Sequence, residues 1–467
     1  MDIFPTPPAN TRLGFHYFPD TVHYRNSDLS TWLPELRALG ATWITLVAPN
    51  DRAIPETFLR GLISAGMEPI LHFHLPLDQS TQISDMRLLF QTYARWGVHY
   101  VTLFDRPNLR TSWPTSAWAQ TNLVERFLDI YLPLAKAAVQ AGLFPVFPPL
   151  EPGGDYWDTA FLRGALNAIQ RRGHHQLLEK FVLGAYAYPG NRPLDWGAGG
   201  PERWPGSRPY HTPQGSQDQR GFRIFDWYLT QIKAVIDAPC AILLLGAGCR
   251  PGDEFDGDFP PVDRVAHANT NLSIASIMMG IERKAEMSLA DPEYPDNVPS
   301  EVLTCNFWLL SSSNNHPASK DAWIQSDGNK LPAAVALREW LANLEENSAH
   351  SQPRTPRARL MHSSIHPATN PHQPRKNGHA IKHYLLLPTY EWGIADWHLD
   401  VIRPFVKKYR PTIGFSIKEA KQASRVTVIG SSASFPDGFF DELRSANCTV
   451  EQINGDGTSI ATQLSTL

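Results

Sequence analysis

The chain has 467 residues, 42% of them hydrophobic and 19% charged, which excludes both a single small module and an intrinsically disordered chain. With 42 Lys and Arg against 46 Asp and Glu, a net charge of −4, it has no surplus of cations to neutralise phosphates, so nucleic acid is excluded as the expected partner. Cys240, Cys249, Cys305 and Cys448 form neither a disulfide framework nor a CxxC pair, and no apolar run reaches the roughly 18 residues that a membrane span needs.

In chain order, eight apolar runs rich in β-branched and aromatic residues read as strands: Leu13–Tyr17, Trp43–Val47, Pro69–Phe73, Tyr100–Phe104, Phe144–Phe147, Val182–Tyr186, Ala241–Leu245 and Val302–Leu309. Helical patterns follow them at Leu33–Leu39, Pro55–Ala65, Met86–Trp96, Leu123–Ala141, Ala160–Gln170, Phe222–Ile236, Asn271–Ile281 and Leu331–Leu344. Gly40, Gly66, Gly97 and Gly142 stand where helices end shortly before the next strand. Eight βα units over residues 1–345 predict an α/β fold, a (β/α)8 TIM barrel.

Residues 346–380 turn abruptly to Pro, His, Arg and Ser, and Asn347–Ala380 holds no acidic residue, the composition of a disordered basic linker. Residues 381–467 predict a small α/β, Rossmann-like module. Its strands are expected at Tyr384–Leu387, Arg425–Gly430 and Val450–Ile453, and its helices at Ala395–Lys408, Ser416–Ala423, Asp437–Ala446 and from Gly457. Met1–Asn10 has neither the basic region nor the apolar stretch of a secretory leader, so the expected place is the cytoplasm, or the cell envelope by another route.

Chemistry in a (β/α)8 barrel gathers where the strands end, and polar and aromatic residues crowd those positions here. Four carboxylates, Asp105, Glu151, Asp253 and Glu254, are candidate catalytic groups. His16, Arg106, Asn108, Trp113, Trp157, Tyr186, Asp195, Trp196 and Trp308 are candidate ligand contacts. One acid to protonate a leaving oxygen, a second carboxylate to attack or activate water, and rings to stack on the sugar are what glycoside chemistry needs. Fourteen Trp, 14 Tyr, 22 Phe and 40 Pro agree with a weakly charged, flat ligand. The Gly-, Pro- and aromatic-rich stretch Ala185–Tyr228 is expected to wall the mouth.

Other motifs carry less. His72 and His74 share a strand face but do not make a complete metal set with His16, so satisfied barrel histidines are expected and neither metal nor cofactor is implied. Asp253–Asp258 lacks the spacing and closing Glu of a calcium loop, and the glycines near Gly199 do not open a helix after a strand.

Taken over Leu13–Leu344, the segments "LGFH", "LFDRPN", "CNFWLL" and "DGNKLPAAVALREWL" resemble the glycoside hydrolases of clan A. The resemblance implies hydrolysis of a glycosidic bond, with an acid/base Glu ending strand four and a nucleophilic Glu ending strand seven. Here those places hold Arg106, beside Asp105, and Gly246 or a neighbour in "LLLGAGC". Arg425–Leu467 resembles one unit of a clostridial-type cell-wall-binding repeat, with Gln452 where that repeat has arginine. Together the resemblances imply a polysaccharide or cell-wall glycan as partner, bound and hydrolysed at the barrel mouth by Asp105 with Asp253, Glu254 or Glu151. The alternatives are a noncatalytic carbohydrate-binding pseudoenzyme and a cell-envelope structural protein; the oligomeric state is open.

Overall fold

The computed structural model describes residues 3–78, 81–281, 297–351, 381–388, 402, 405–406, 408–409, 411–430, 435, 438–454, 459–460 and 463–464. The chain divides into two compact units, Met1–Thr355 and Pro356–Leu467.

In the first unit, β1 (Leu13–His16), β2 (Trp43–Val47), β3 (Glu68–Phe73), β4 (Tyr100–Leu103), β5 (Phe144–Phe147), β6 (Phe181–Ala187), β7 (Cys240–Ala247) and β8 (Val302–Phe307) form a closed barrel. All neighbours are parallel, and β8 returns to β1 through Leu13↔Cys305 and Phe15↔Phe307. Because strands in such a barrel are covered on both faces, they read as continuous apolar runs rather than alternating ones, which is why the sequence marked each of them. The outer layer comprises α1 (Asn26–Ala38), α2 (Glu56–Ser64), α3 (Ile83–Arg95), α4 (Leu123–Ala141), α5 (Asp158–Arg171), α6 (Ile224–Lys233), α7 (Arg264–Met278) and α8 (Pro332–Ser351). Gly142 caps α4 in the left-handed region at φ 90°, a conformation that a side chain would oppose.

Inside the barrel, Trp43, Ile70, Tyr100, Val146, Val182 and Leu243 pack together, and Phe4 of the N-terminal segment joins them from below. Tyr100 donates to the Pro5 carbonyl at 2.7 Å, fixing that segment under the strands. A cavity lined by Phe4, Asn10, Arg12, Lys233, Cys240 and Glu301 opens beside that segment at the N-terminal end, while the candidate residues read from the sequence stand at the opposite end. The last helix continues to Ser351, past the expected end at Leu344, since no Pro or Gly interrupts it before Pro353. Of the expected linker, residues 352–380 lie outside the described residues.

The second unit is a four-stranded parallel sheet of β9 (Ile381–Leu386), β10 (Thr412–Gly414), β11 (Ala423–Ile429) and β12 (Thr449–Ile453) in the order β10-β9-β11-β12. Tyr384, Leu386, Val426 and Val428 enter one core with Phe439 and Leu443, while Leu385, Leu387 and Ile429 enter another with Ile402 and Phe405. Apolar cores on both faces make this a doubly wound α/β module. β10 went unpredicted because three residues carry too little pattern. The helix expected at Ala395–Lys408 falls mostly outside the described residues.

Candidate active site

The end of β4 builds the centre of the mouth. Phe104 and Arg106 both take positive φ, 71° and 44°, unusual for residues with side chains. Phe104 is held by its N–H on the Phe73 carbonyl at 2.8 Å and packs outward on Phe127 of α4 at 5.8 Å. Arg106 is held by its N–H on the Pro149 carbonyl at 3.0 Å. Between them, Asp105 accepts from the Tyr186 hydroxyl at 2.6 Å and from Arg106 Nε at 2.9 Å. Burial alone would push the Asp105 carboxyl up; His72 when it carries a proton, the Arg106 guanidinium, His74 likewise and the Tyr186 hydrogen bond outweigh it and hold the group below the ordinary carboxylate value. At neutral pH, where both rings are uncharged, the guanidinium and the hydroxyl do so. Asp105 is therefore an anion at neutral pH.

The same guanidinium reaches a second carboxylate: Arg106 Nη1 lies 3.5 Å from Glu151 Oε2. Glu151 is placed by Asn108, which is fully buried and clamps it from both sides. Asn108 Oδ1 accepts from the Glu151 N–H at 2.8 Å, and Nδ2 donates to the carbonyls of Glu151 and Tyr156, each at 2.9 Å. Asn108 was expected to touch ligand; its burial makes it a positioning residue instead. Replacing it with alanine strands the Glu151 N–H and the Tyr156 carbonyl, the Glu151 carbonyl keeping the Gly154 N–H, and is expected to destabilise the β5 loop by about 2–4 kcal/mol. Thermal melting together with amide exchange at 149–156 checks this.

The far side of the mouth is aromatic. Tyr186 and Tyr188 stack at 5.6 Å, with Arg106 over the first ring at 5.5 Å and Arg250 over the second at 5.2 Å. A Cβ at Gly246 would fall 2.1 Å from the Tyr188 hydroxyl, so the end of β7 has room for nothing larger than glycine while Tyr188 stays in place. Asp253 turns to its own loop, accepting from the Arg250 N–H at 2.8 Å and from Arg250 Nε at 3.3 Å.

Histidines make the floor. His72 Nε2 must donate to the Phe104 carbonyl, 2.9 Å away, which leaves Nδ1 to accept from His74 Nε2 at 3.4 Å. His16 is buried against the half-buried Trp308 at 4.5 Å. Burial, then the neighbouring His74 ring, pushes His72 down to about 3, and burial also lowers His16 and His74, so the floor is uncharged at neutral pH. Among the described residues no group of three or more His, Cys, Asp or Glu side chains is placed to hold a metal ion.

Other expected contacts are used up by the fold. Trp113 is only 7% exposed, donates to the Pro107 carbonyl at 2.7 Å and carries Arg126 on its ring. Trp157 is buried under Tyr210 at 5.2 Å. Trp196 donates to Asp218 at 3.1 Å with Arg192 on its face at 4.2 Å, and Asp195 is half-buried in the turn before it, its carbonyl accepting from the Ala198 N–H. Glu254 is exposed. The structure thus brings together Asp105, Arg106, Glu151, Tyr186, His16 and Trp308, adds Tyr188 and Arg250, and leaves Trp113, Trp157 and Asn108 as support. Nothing local in the sequence distinguishes Arg250 from any other loop arginine.

No family model and no curated protein matches the chain. Among solved structures it is similar to a monomeric β-xylosidase from Caulobacter crescentus, at 12% identity over 72% of this chain and 69% of that one, with a TM-score of 0.44. It is similar to a xylanase from Cellvibrio japonicus in complex with xylopentaose, at 10% identity over 72% and 68% of the two chains and a TM-score of 0.42. An intracellular xylanase from Thermoanaerobacterium saccharolyticum gives 11% identity, 70% and 94% coverage and a TM-score of 0.40. The barrel assignment stands on its own closed strand ladder. Among the described residues no helix is long and apolar enough to cross a membrane.

Proposed function

We propose that the barrel mouth binds a glycan and does not cleave it with a pair of carboxylates. The observation that carries this reading is the Arg106 guanidinium touching both Asp105 and Glu151. Cleavage needs a protonated acid on one side of the glycosidic oxygen and an anion or activated water on the other. Here a permanent cation takes the space between the two carboxylates, and Asp105, held ionised, has no proton to give. The Tyr188 hydroxyl against Gly246 closes the end of β7 to a carboxylate as well. What remains suits binding: the half-buried rings of Tyr188 and Trp308 for stacking, with the buried Tyr186 behind Tyr188 as support, and Arg106, Glu151 and His74 for the sugar hydroxyls.

One feature favours hydrolysis instead. A single planar guanidinium touching both groups keeps them within about 9 Å, no farther apart than glycosidic cleavage by two carboxylates allows. Incubation with a panel of cell-wall and storage polysaccharides separates the two. Capture without new reducing ends is expected, weakened about tenfold or more by Asp105→Asn, which frees Arg106 and Tyr186 from their shared acceptor. Reducing ends that vanish in Asp105→Asn would establish the enzyme.

The C-terminal unit is assigned, on the likeness of residues 425–467, to holding the chain on cell-wall polymer. Gln452, in the place of the repeat's arginine, donates to the Gly430 carbonyl at 2.9 Å. Pelleting of the full chain with purified cell wall, and none by residues 1–355, is the expected result.

A further inference from the structure

The loops that follow β6 and β7 carry two aromatic side chains that the core does not use. Phe255 is 55% exposed and Tyr210 is 66% exposed. By the topology of the barrel both loops rise on the face where the mouth opens. Single exposed rings are common on protein surfaces, but these two are held in ways that idle rings are not.

Phe255 is fixed from below. Its N–H donates to Asn191 Oδ1 at 3.0 Å, and the Arg192 guanidinium lies 4.7 Å from its ring and 4.2 Å from the ring of Trp196. Arg192 is itself locked, with Nη1 3.2 Å from Asp218 and Nε 2.7 Å from Asp256. A ring seated on an immobilised cation loses little freedom when a ligand covers its remaining surface. Tyr210 is fixed at the other end of its side chain: its hydroxyl accepts from the Trp157 N–H at 2.9 Å and donates to the Asp155 carbonyl at 3.4 Å. It holds φ at 64°, a strained backbone for a bulky residue, while presenting two thirds of its surface to solvent. Between the two loops, Arg220 packs under Gly153, where a Cβ would come within 2.8 Å of its Cδ, and its guanidinium lies 5.8 Å from the Phe255 ring. The β5, β6 and β7 loops therefore form one continuous rim.

We infer that Phe255 and Tyr210 are outer stacking faces for a carbohydrate chain, so that the ligand is an oligosaccharide of several sugar units rather than a mono- or disaccharide. This rests on the reading of the mouth as a glycan site. The apolar face of a neutral pyranose is the occupant that two rigid, uncharged rings on a polar rim select. The core of the mouth would then hold one or two units, and the rim would add affinity only for chains long enough to reach it.

The test is an affinity ladder by titration calorimetry with linear β-1,4-gluco-, β-1,4-xylo- and β-1,3-gluco-oligosaccharides from disaccharide to octasaccharide. Wild type, Phe255→Ala, Phe255→Trp, Tyr210→Gly and Asp105→Asn are compared as full chains. Affinity is expected to climb with length in wild type, to fall about five- to tenfold for long chains in Phe255→Ala and in Tyr210→Gly, and to be kept in Phe255→Trp. Disaccharide binding is expected to be unchanged in the rim variants and weakened in Asp105→Asn. Tyr210→Gly relieves the strained φ but also uncovers Trp157 and removes the hydroxyl from its N–H, so Tyr210→Phe, which loses the hydroxyl and keeps the ring, is run beside it. Long-chain affinity kept in Tyr210→Phe and lost in Tyr210→Gly assigns the loss to the ring, and equal loss in both would overturn its stacking role. Long-chain binding that ignores both rim variants while still responding to Asp105→Asn would overturn the rim alone. Wild type binding none of the ladder would overturn the glycan reading of the mouth, and the rim with it.

Discussion

Replacing Asp218 with alanine is expected to release the wall of the mouth at a cost of about 3–5 kcal/mol. Its side chain has no exposed surface and accepts from Trp196 Nε1 at 3.1 Å, Thr212 Oγ1 at 2.9 Å, the Arg220 N–H at 3.1 Å, Arg220 Nε at 2.9 Å and Arg192 Nη1 at 3.2 Å. Burial pushes its carboxyl up, but the hydrogen bonds and charges of Arg220, with Trp196 and Arg192, hold it below the ordinary value. Removing it leaves Arg192, 8% exposed, with Asp256 as its remaining acidic partner, and a buried cation short of an anion costs more than the pair is worth. The barrel ladder touches none of this, so the loss should be local. Amide exchange and limited proteolysis over 189–222 should rise sharply, with the strands still protected. Asp218→Asn, which keeps the shape and one acceptor, should fall between. Unchanged protection in Asp218→Ala would mean that the loop is held by its aromatic packing instead.

That network explains why the fold was more legible than the site. Barrel strands announce themselves locally: Trp43–Val47 is apolar but for the β-branched Thr45, and Phe144–Phe147 is apolar throughout, so their limits agree with the sequence reading to the residue. β4 ends one residue early because Phe104 turns into the left-handed region, a choice made by the contacts around Asp105 and invisible in the apolar pattern. The site depends on partners far apart in the chain. Asp105 was singled out from its place after β4, yet what makes it an anion is Tyr186, 81 residues on, and a neighbour, Arg106, whose second partner is 45 residues away. Aromatics misled for the opposite reason. Trp113 and Trp157 stand at loop positions where a stacking ring would be expected, but a large ring beside a core is more often drawn into it. Phe255 and Tyr210, with the same composition signal, stayed out because a cation and a backbone N–H hold them there.

Acid should unfold the barrel earlier than its carboxylates alone require, through the histidine floor. His72 is pushed down to about 3 by burial and then by His74, and His16 also lies well below its ordinary value; outside the floor, His267 of α7, packed on Trp323, is pushed down to about 4 by burial. In the unfolded chain each titrates near 6.5. Between that value and the folded one the unfolded state binds a proton that the folded state refuses, so stability falls as pH falls, by up to about 1.4 kcal/mol per pH unit for each histidine. Above about pH 6.5 neither state is protonated and the contribution vanishes. Asp105 acts in a lower window: its depressed carboxyl adds stability that is complete above the unfolded value near 3.9 and is lost only below it. Asp158 and Glu68, raised by burial, run the other way, since the folded chain takes up their protons first. The net slope of the wild type therefore mixes signs, and the difference against His72→Gln isolates one term. Glutamine can bring its amide N–H to the place of Nε2, keeping a donor for the Phe104 carbonyl, but cannot titrate. Urea unfolding from pH 7 to pH 4 should show the wild type losing stability faster than His72→Gln, by about 1.4 kcal/mol per pH unit below pH 6. Parallel curves would mean that water reaches the His72 ring, and that the floor of the mouth is open rather than sealed by Phe104 and His74.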